Sequence, residues 1–499
     1  MITRRQVSDR IDDAGASFEQ CWDKLDNIRQ ARPDSDFGQA ILSLQPELAT
    51  ALGKLDKLRL KLHGEKRQLI DRKDKLNARW FTHRMQMIAS YHEAIDAAID
   101  IGKTIGDAFA WLFYQDEREW LSRHEQHQRQ RHLPPGLGGR GEIEFIRNAP
   151  MFWGYLVLYH GITTYLRLGD VSLIDLAKRR VIGIGELKTT AVEGNKLSMQ
   201  MTIVGHSNLR PPEAPVSRPR EAQTHLTAAM EDRLRRQVKA MKNAFHQKTE
   251  STLTVQHKIH TTSHHSALSA IEAGLATQRC THAKAGDGLL LTAFTDHRSH
   301  LSARLMGGLP PWFNRSLEDL VPKVMSICDK SSKYNSIHIG TIHYSSNGYS
   351  HFHGMIPLYW WPLKTTFLHD LAFRRVVIAG FYNPAFLVGK VRDRGFEVRH
   401  SDGDNSFEIE RKTADGRSVR LEGFAYLASL VHYHLINEET ILAFLDKVLQ
   451  EAEDPKYVGK NLKFSMDIQH VQSMEDRTSP CIATTHSAAE CVEGEGPPA

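Results

Sequence analysis

The chain has 499 residues, 41% hydrophobic and 25% charged, an ordinary balance for a soluble globular protein with about two to four domains. The formal net charge of +5 permits a nucleic-acid partner without arguing for one. Cys21, Cys280, Cys328, Cys481 and Cys491 are scattered, odd in number and free of any CxxC pair, which excludes a disulfide framework and a cysteine zinc site and makes a reducing cytoplasm the simple expectation.

Residues 1–132 read as helical, a candidate coiled-coil arm. The N-terminus MITRRQVSDRIDD has no apolar stretch, so no secretory signal is expected. Ile41, Leu48, Leu55, Leu62, Leu69 and Leu76 recur at heptad spacing. The companion positions hold Leu44, Ala51 and Leu58 in the first half but Glu65, Arg72 and Arg79 in the second. A seam formed only at its start suits an intramolecular hairpin and a homodimeric coil equally well. A further helical stretch, residues 94–132, starts apolar and ends polar.

LPPGLGGRGE, residues 133–142, reads as a breaker. Gly136, Gly138 and Gly141 satisfy GxGxxG, but a polar helix precedes them where a dinucleotide site needs a strand. The uncharged run Ala149–Leu166 contains Gly154, Gly161, His160 and two threonines, and falls short of the roughly 20 apolar residues of a membrane span. It reads as buried core.

Residues 169–190, GDVSLIDLAKRRVIGIGELKTT, read as two apolar strands about a charged turn at Asp175–Arg180. Strand alternation places Ile182, Ile184, Glu186 and Lys188 on one side, with Val181, Gly183, Gly185 and Leu187 on the other. A carboxylate and an ammonium at the end of a buried strand are costly unless paired. The hairpin would bring Asp170 beside Glu186, and two adjacent carboxylates repel unless a hard divalent cation bridges them.

This arrangement resembles the PD-(D/E)xK nuclease superfamily, whose pattern is an acid at the start of one core strand and acid-x-lysine at the end of the next. Asp170 and Glu186-Leu187-Lys188 match it, with Gly169 in place of the proline that usually precedes the first acid. The resemblance covers residues 133–300. It implies an α/β fold: a restriction-endonuclease-like mixed sheet flanked by helices, preceded by the helical arm and followed by an α+β domain. It implies that Asp170 and Glu186 hold Mg²⁺ or Mn²⁺, joined by a third acid from an upstream helix, Glu144 in preference to Glu142. Lys188 would orient the attacking water or offset developing charge. A polar residue from the following helix, Gln237, would complete the catalytic set.

That helix, Arg233–Lys248, has an apolar stripe of Leu234, Val238, Met241 and Phe245. Arg235, Arg236, Lys239 and Lys242 face outward, as for phosphates or simply for solvent. The activity implied is metal-dependent cleavage of phosphodiester bonds, with DNA as the substrate. Large proteins with this nuclease type often serve bacterial restriction or phage defence, an analogy at the level of fold.

Acid-x-lysine alone is a weak signal, since Glu410-Arg411-Lys412 repeats it in what reads as an exposed hairpin turning at Asp415-Gly416. Residues 301–470 otherwise read as α+β, and residues 471–499 as a disordered polar tail. Two other functional classes stay open. His351-Phe352-His353 looks like the metal motif of HUH single-strand nucleases, with Tyr426 or Tyr433 as nucleophile; Tyr382 does not look helical. His432 and His434, on a helix, would diverge by about 200°. The cluster His257, His260, His264 and His265 reads as a polar loop. The remaining class is a non-catalytic nucleic-acid-binding scaffold with a decayed nuclease fold.

Overall fold

A computed structural model describes residues 1–30, 35–125, 133, 136–192, 196–205, 228–246, 253–261, 265–308, 313–328, 336–342, 357–361, 363–400, 407–412, 416, 418–421, 424–454, 456 and 462–470. The tail 471–499 and the pair His351 and His353 lie outside these residues.

The N-terminal third is helical: α1 (Arg4–Gln30), α2 (Ser35–Asp71), α3 (Ala78–Tyr114) and α4 (Arg118–Glu125). Heptad residues Ile41, Leu44, Leu48, Ala51, Leu55, Leu62 and Leu69 are buried in one core with Val7, Ile11 and Phe18 of α1 and Ile88, Ile95 and Ile105 of α3. The seam is therefore occupied within the chain, the intramolecular packing of the two alternatives, with these heptad residues buried against α1 and α3. The heptad pattern also outruns its helix, because α2 ends at Asp71, before Leu76.

The expected breaker at 133–142 is half helix: α5 (Leu137–Asn148) starts inside it, after Gly136 at φ 76°. Gly141 belongs to helix packing rather than to a nucleotide loop. A Cβ there would lie 2.1 Å from Thr189 Oγ1, so only glycine lets α5 approach the sheet this closely.

That sheet runs β1 (Met151–Phe152), β2 (Tyr155–Tyr159), β3 (Val171–Asp175), β4 (Arg180–Val192) and β5 (Lys196–Gly205), in that spatial order. Every pairing is antiparallel. The mixed sheet expected here is thus not formed, because β5 folds back along β4 from Val192 to Gly183 and takes its outer edge. Beyond short β1, the edge of β2 is closed by Gln45, whose amide donates to Val157 O (2.8 Å) and accepts from Tyr159 N (2.7 Å). Among the described residues no helix is long and apolar enough to cross a membrane.

α6 (Ala228–His246) and β6 (Leu253–Thr261) follow, then α7 (His265–Leu275), β7 (Cys280–Ala285) and β8 (Leu289–Thr295). Next come α8 (Leu301–Met306), α9 (Phe313–Met325), β9 (His338–Thr341), α10 (Thr365–Ala372) and β10 (Val376–Tyr382). A second antiparallel sheet has the order β7-β8-β10-β9. The boundary expected near residue 300 therefore cuts through this sheet, since β8 pairs with β10 along its full length, from Leu289↔Tyr382 to Thr295↔Val376. Residues 280–295 belong with the C-terminal part, a long-range pairing with no local signal.

The chain ends in α11 (Ala385–Asp393), β11 (Glu397–His400), β12 (Phe407–Lys412), β13 (Ser418–Leu421), α12 (Phe424–His434), α13 (Glu438–Glu453) and β14 (Leu462–His470), the last parallel to β6. β12 and β13 form the hairpin expected around Gly416, which sits at φ 85°. The decoy Glu410 lies there, ion-paired with Arg399 at 2.9 Å.

Between helices and site stands the turn 160–166. Gly106 of α3 abuts it so closely that a Cβ would overlap Ile162 O at 2.0 Å. Asp107 ties the turn down, accepting from Thr164 N (2.7 Å) and Thr164 Oγ1 (2.8 Å). Burial pushes its carboxyl up to about 7. The folded protein then holds a proton that the unfolded chain releases near pH 4, so this contribution to stability is complete below pH 4 and is lost as pH rises toward 7. Asp107→Asn keeps the amide acceptor and cannot ionise. Urea melts should show it equal to or below the parent at pH 4.5 and more stable at pH 8, by on the order of 4 kcal/mol at most. An equal shift at both pH values would refute the linkage.

Candidate metal and nuclease site

The site forms where β3 stops and β4 continues. The last β3–β4 pair at this end is Val171↔Gly185, so the next rung would set Asp170 across from Glu186. β3 does not extend to that rung. Instead Asp170 Oδ2 accepts from Leu187 N at 2.8 Å, its carboxylate taking the place of a strand carbonyl. Asp170 and Glu186 are both buried, at 6% and 3% exposure.

Gly169 explains the approach. Its φ is 70°, and a Cβ would lie 2.5 Å from Ile184 Cγ2 and 2.8 Å from Gly185 O. Proline, fixed near −65°, cannot adopt this backbone. The departure from the usual pattern is thus a different route into the strand, with Asp170 N donating to Gly185 O at 2.8 Å.

On β4, Glu186 and Lys188 share the face of Ile184, and Lys188 Nζ donates to Glu186 Oε1 at 2.6 Å and to Gln237 Oε1 at 2.9 Å. Both are mid-strand rather than at a strand end, because β5 pairs with β4 as far as Val192. The alternation expected from Ile182 onward is interrupted by a bulge: Leu173 pairs with Gly183 but Ile174 with Val181, leaving Ile182 as the extra residue.

The helix α6 covers this face. Met241 is fully buried and Gln237 meets the lysine. Arg235, Arg236, Lys239 and Lys242 are exposed. A groove of about 510 Å³ runs between β5 and α6, with Leu234 and Val238 in its floor and Arg235, Lys239 and Lys242 on its rim. The side chain of Phe245 lies outside the described set.

The third acid needs correction. Glu144 is not gathered into the site: it pairs with Arg147 at 2.8 Å, both being 40% or more exposed, and Arg147 reaches Thr50 of α2. Glu142 is the buried one and accepts from Tyr159 OH at 2.6 Å. Even so, Tyr159 pairs with Val171 and Val171 with Gly185, which puts them on the opposite face of the sheet from Glu186. The reason lies in Gly141, whose packing on Thr189 seats α5 on that far face.

A buried hydrogen-bond chain underlies the Asp170 turn, and nothing in the spacing of the motif announced it. Leu168 N donates to His124 Nδ1 (3.0 Å), so the neutral ring carries its proton on Nε2, 3.3 Å from Tyr114 OH. Tyr114 OH lies 2.6 Å from Ser172 Oγ, which lies 2.6 Å from His160 Nε2. His160 Nδ1 donates to Gly169 O at 3.0 Å, and His160 N to Asp170 O at 2.9 Å. These contacts fix the order of donors from end to end, and both ends hold the Leu168–Gly169 turn. The one visible hint was polar His160 and Ser172 inside otherwise apolar runs, which burial demands be satisfied.

Comparison of the chain with protein-family models, curated proteins and solved structures found no match. The chemistry of the site therefore rests on its own groups. Two carboxylates at facing positions, Asp170 just before β3 and Glu186 within β4, are hard oxygen donors of the kind Mg²⁺ takes along with water and phosphate oxygens. Asp170 and Glu186 are the residues that would hold such an ion. Among the described residues no group of three or more His, Cys, Asp or Glu side chains is close enough to form a metal cage.

Other candidates are placed differently. His432 is buried on α12, and its Nε2 donates to Gly380 O at 3.0 Å, with burial pushing the ring down to about 4. It is a packed core histidine. Tyr382 ends strand β10, 2% exposed, and Tyr433 packs on Gly340. The side chains of His257, His260, His264, His265 and Tyr426 lie outside the described set.

Proposed function

We propose that the protein is a metal-dependent nuclease with a restriction-endonuclease-like core built on β2–β5, α5 and α6. The observation that carries this reading is one connected set: Asp170 on the Leu187 amide, and Lys188 bridging Glu186 and Gln237. Residues up to 67 apart in the sequence are gathered where β3 begins beside the middle of β4: an acid, a second acid, a lysine and a helix-borne glutamine, the residue types and chain order of the PD-(D/E)xK pattern.

A Mg²⁺ or Mn²⁺ ion held by Asp170 and Glu186 would supply a bound water of lowered pKa and polarise a phosphate oxygen. The protein groups do the rest. Lys188, held by Glu186 and Gln237, is fixed in direction, so its ammonium can donate to a developing oxyanion without first reorganising. Gln237 sets the lysine's reach while leaving its charge unchanged. The exposed cations of α6, three of which (Arg235, Lys239 and Lys242) line the groove beside β5, supply a path for a phosphodiester backbone. DNA is the substrate assigned, and the setting proposed is bacterial restriction or phage defence.

The test is nicking of supercoiled plasmid in Mg²⁺ or Mn²⁺, with EDTA as the control. Lys188→Ala should lower the rate by at least about 100-fold, the usual cost of removing a preorganised charge-stabilising donor. Cutting that Lys188→Ala leaves unaltered would exclude this site. Binding without cutting in parent and variants alike would make the chain a scaffold.

A further inference from the structure

The far end of the α2–α3 hairpin holds most of the charge excess of the molecule. Residues 66–83 carry Lys66, Arg67, Arg72, Lys73, Lys75 and Arg79 against Asp71 and Asp74, a net +4 within a chain of net +5. All six cations are exposed, and none forms an ion pair with a described residue. One step down the hairpin the arginines are partnered: Arg59 with Asp56 at 3.3 Å, Arg84 with Glu65 at 2.9 Å.

The tip extends past the rest of the bundle. Ile2 N donates to Glu65 (2.8 Å) and Arg84 donates to Ile2 O (2.7 Å), which sets the start of α1 at that level. Beyond it, between 66 and 83, only Leu69 is buried. The end is nevertheless shaped. Asn77 caps α3 by accepting from Trp80 N at 3.1 Å, and Lys75 N donates to Arg72 O at 2.9 Å across the connecting turn. Its cations sit on a fixed frame.

Helix stability accounts for only part of this placement. Arg72 and Lys73 follow the C-terminus of α2, where a cation is favoured. Arg79 is the second residue of α3, where a cation is disfavoured, and the first turn of α3 contains no acid to offset it. Ile70 and Trp80 stand among these charges at 49% and 40% exposure, apolar surfaces that a sugar or base can cover. Cations with no ion-pair partner among the described residues, set on an ordered turn and interleaved with an exposed indole, suit a phosphate backbone.

The hairpin also has a length. Tyr114, which bonds Ser172 beneath the candidate site, lies on the same helix as Trp80, and 34 residues at roughly 1.5 Å each separate them by about 50 Å. That equals about 15 base pairs of duplex at roughly 3.4 Å each. We propose that the α2–α3 tip grips the backbone of the same nucleic-acid duplex that enters the site, as a remote second contact. The proposal rests on the nuclease reading for the identity of the polyanion.

The test compares labelled duplexes of about 10 and about 30 base pairs, by anisotropy in EDTA across a salt series, on a Lys188→Ala background. The tip variant replaces Lys66, Arg67, Arg72, Lys73, Lys75 and Arg79 with glutamine. Its circular-dichroism melt should match the background, since every replaced side chain is exposed. The background protein should bind the long duplex at least about tenfold more tightly than the short one. The tip variant should lose that gain, its log–log salt slope shallower by about 0.9 for each phosphate contact removed. Unchanged affinity and slope, or an equal loss on short and long duplexes, overturns the proposal. Failure of the nuclease reading shows separately, as a parent chain that does not cut in Mn²⁺, and leaves the binding comparison readable.

Discussion

Asp170→Asn should give a folded protein that has lost at least about 1,000-fold in cutting rate, the combined effect of weakened metal binding and a missing charge. Asparagine is the informative replacement because it separates two roles of the carboxylate. Its Oδ1 can still accept from Leu187 N, the contact that closes the start of β3 against β4 at 2.8 Å. The fold therefore loses almost nothing, and removing one of two adjacent buried carboxylates relieves their mutual repulsion. The thermal midpoint should hold or rise. Titration calorimetry with Mn²⁺ should show binding by the parent and a loss of at least about tenfold in affinity in the variant. Glu186→Gln is the partner experiment: it keeps an acceptor for Lys188 but likewise removes a ligand charge. If Asp170→Asn cuts as fast as the parent, the carboxylate pair is not the catalytic centre. If it unfolds, Asp170 is a structural cap and nothing more.

The parts of this site that were legible in the sequence are those decided by period and spacing. Alternation along 181–188 put Glu186 and Lys188 on one face, and the short turn after β3 returned the chain beside Asp170. The helical period of α6 turned Gln237 inward, where it meets Lys188. What escaped was decided by contacts between elements. Glu142 and Glu144 are equivalent by spacing, and only the seating of Gly141 on Thr189 determines which of them faces the sheet. The bulge at Ile182 leaves no compositional trace. The chain from His124 through Tyr114 and Ser172 to His160 joins α3, α4, the 160s turn and β3, and periodicity within one element cannot reveal a network that spans four. The β8–β10 ladder was hidden for the same reason, its partners lying more than 80 residues apart.

Gly169→Pro should be among the most damaging single changes in the chain, even though it would make the sequence look more like the nuclease pattern. The usual proline before the first acid implies a backbone near −65°, whereas Gly169 stands at 70°. Adopting the proline conformation would swing the preceding turn away from Gly185 O and Ile184, which lie within 2.8 Å of any Cβ at this point. It would also move the Gly169 carbonyl off His160 Nδ1 and so disturb the hydrogen-bond chain beneath the turn. Backbone conflict and core overlap together should cost at least about 3 kcal/mol, read as a lower urea midpoint. Gly169→Ala should fall between parent and proline, since it shares the overlap and the positive φ but keeps a free backbone angle. Cutting should fall further than stability in both variants, because Asp170 is the next residue and its carboxylate is aimed by this turn. Retention of the parent's urea midpoint and nicking rate by Gly169→Pro would mean that the chain enters β3 by another route, and the case for Asp170 facing Glu186 would go with it.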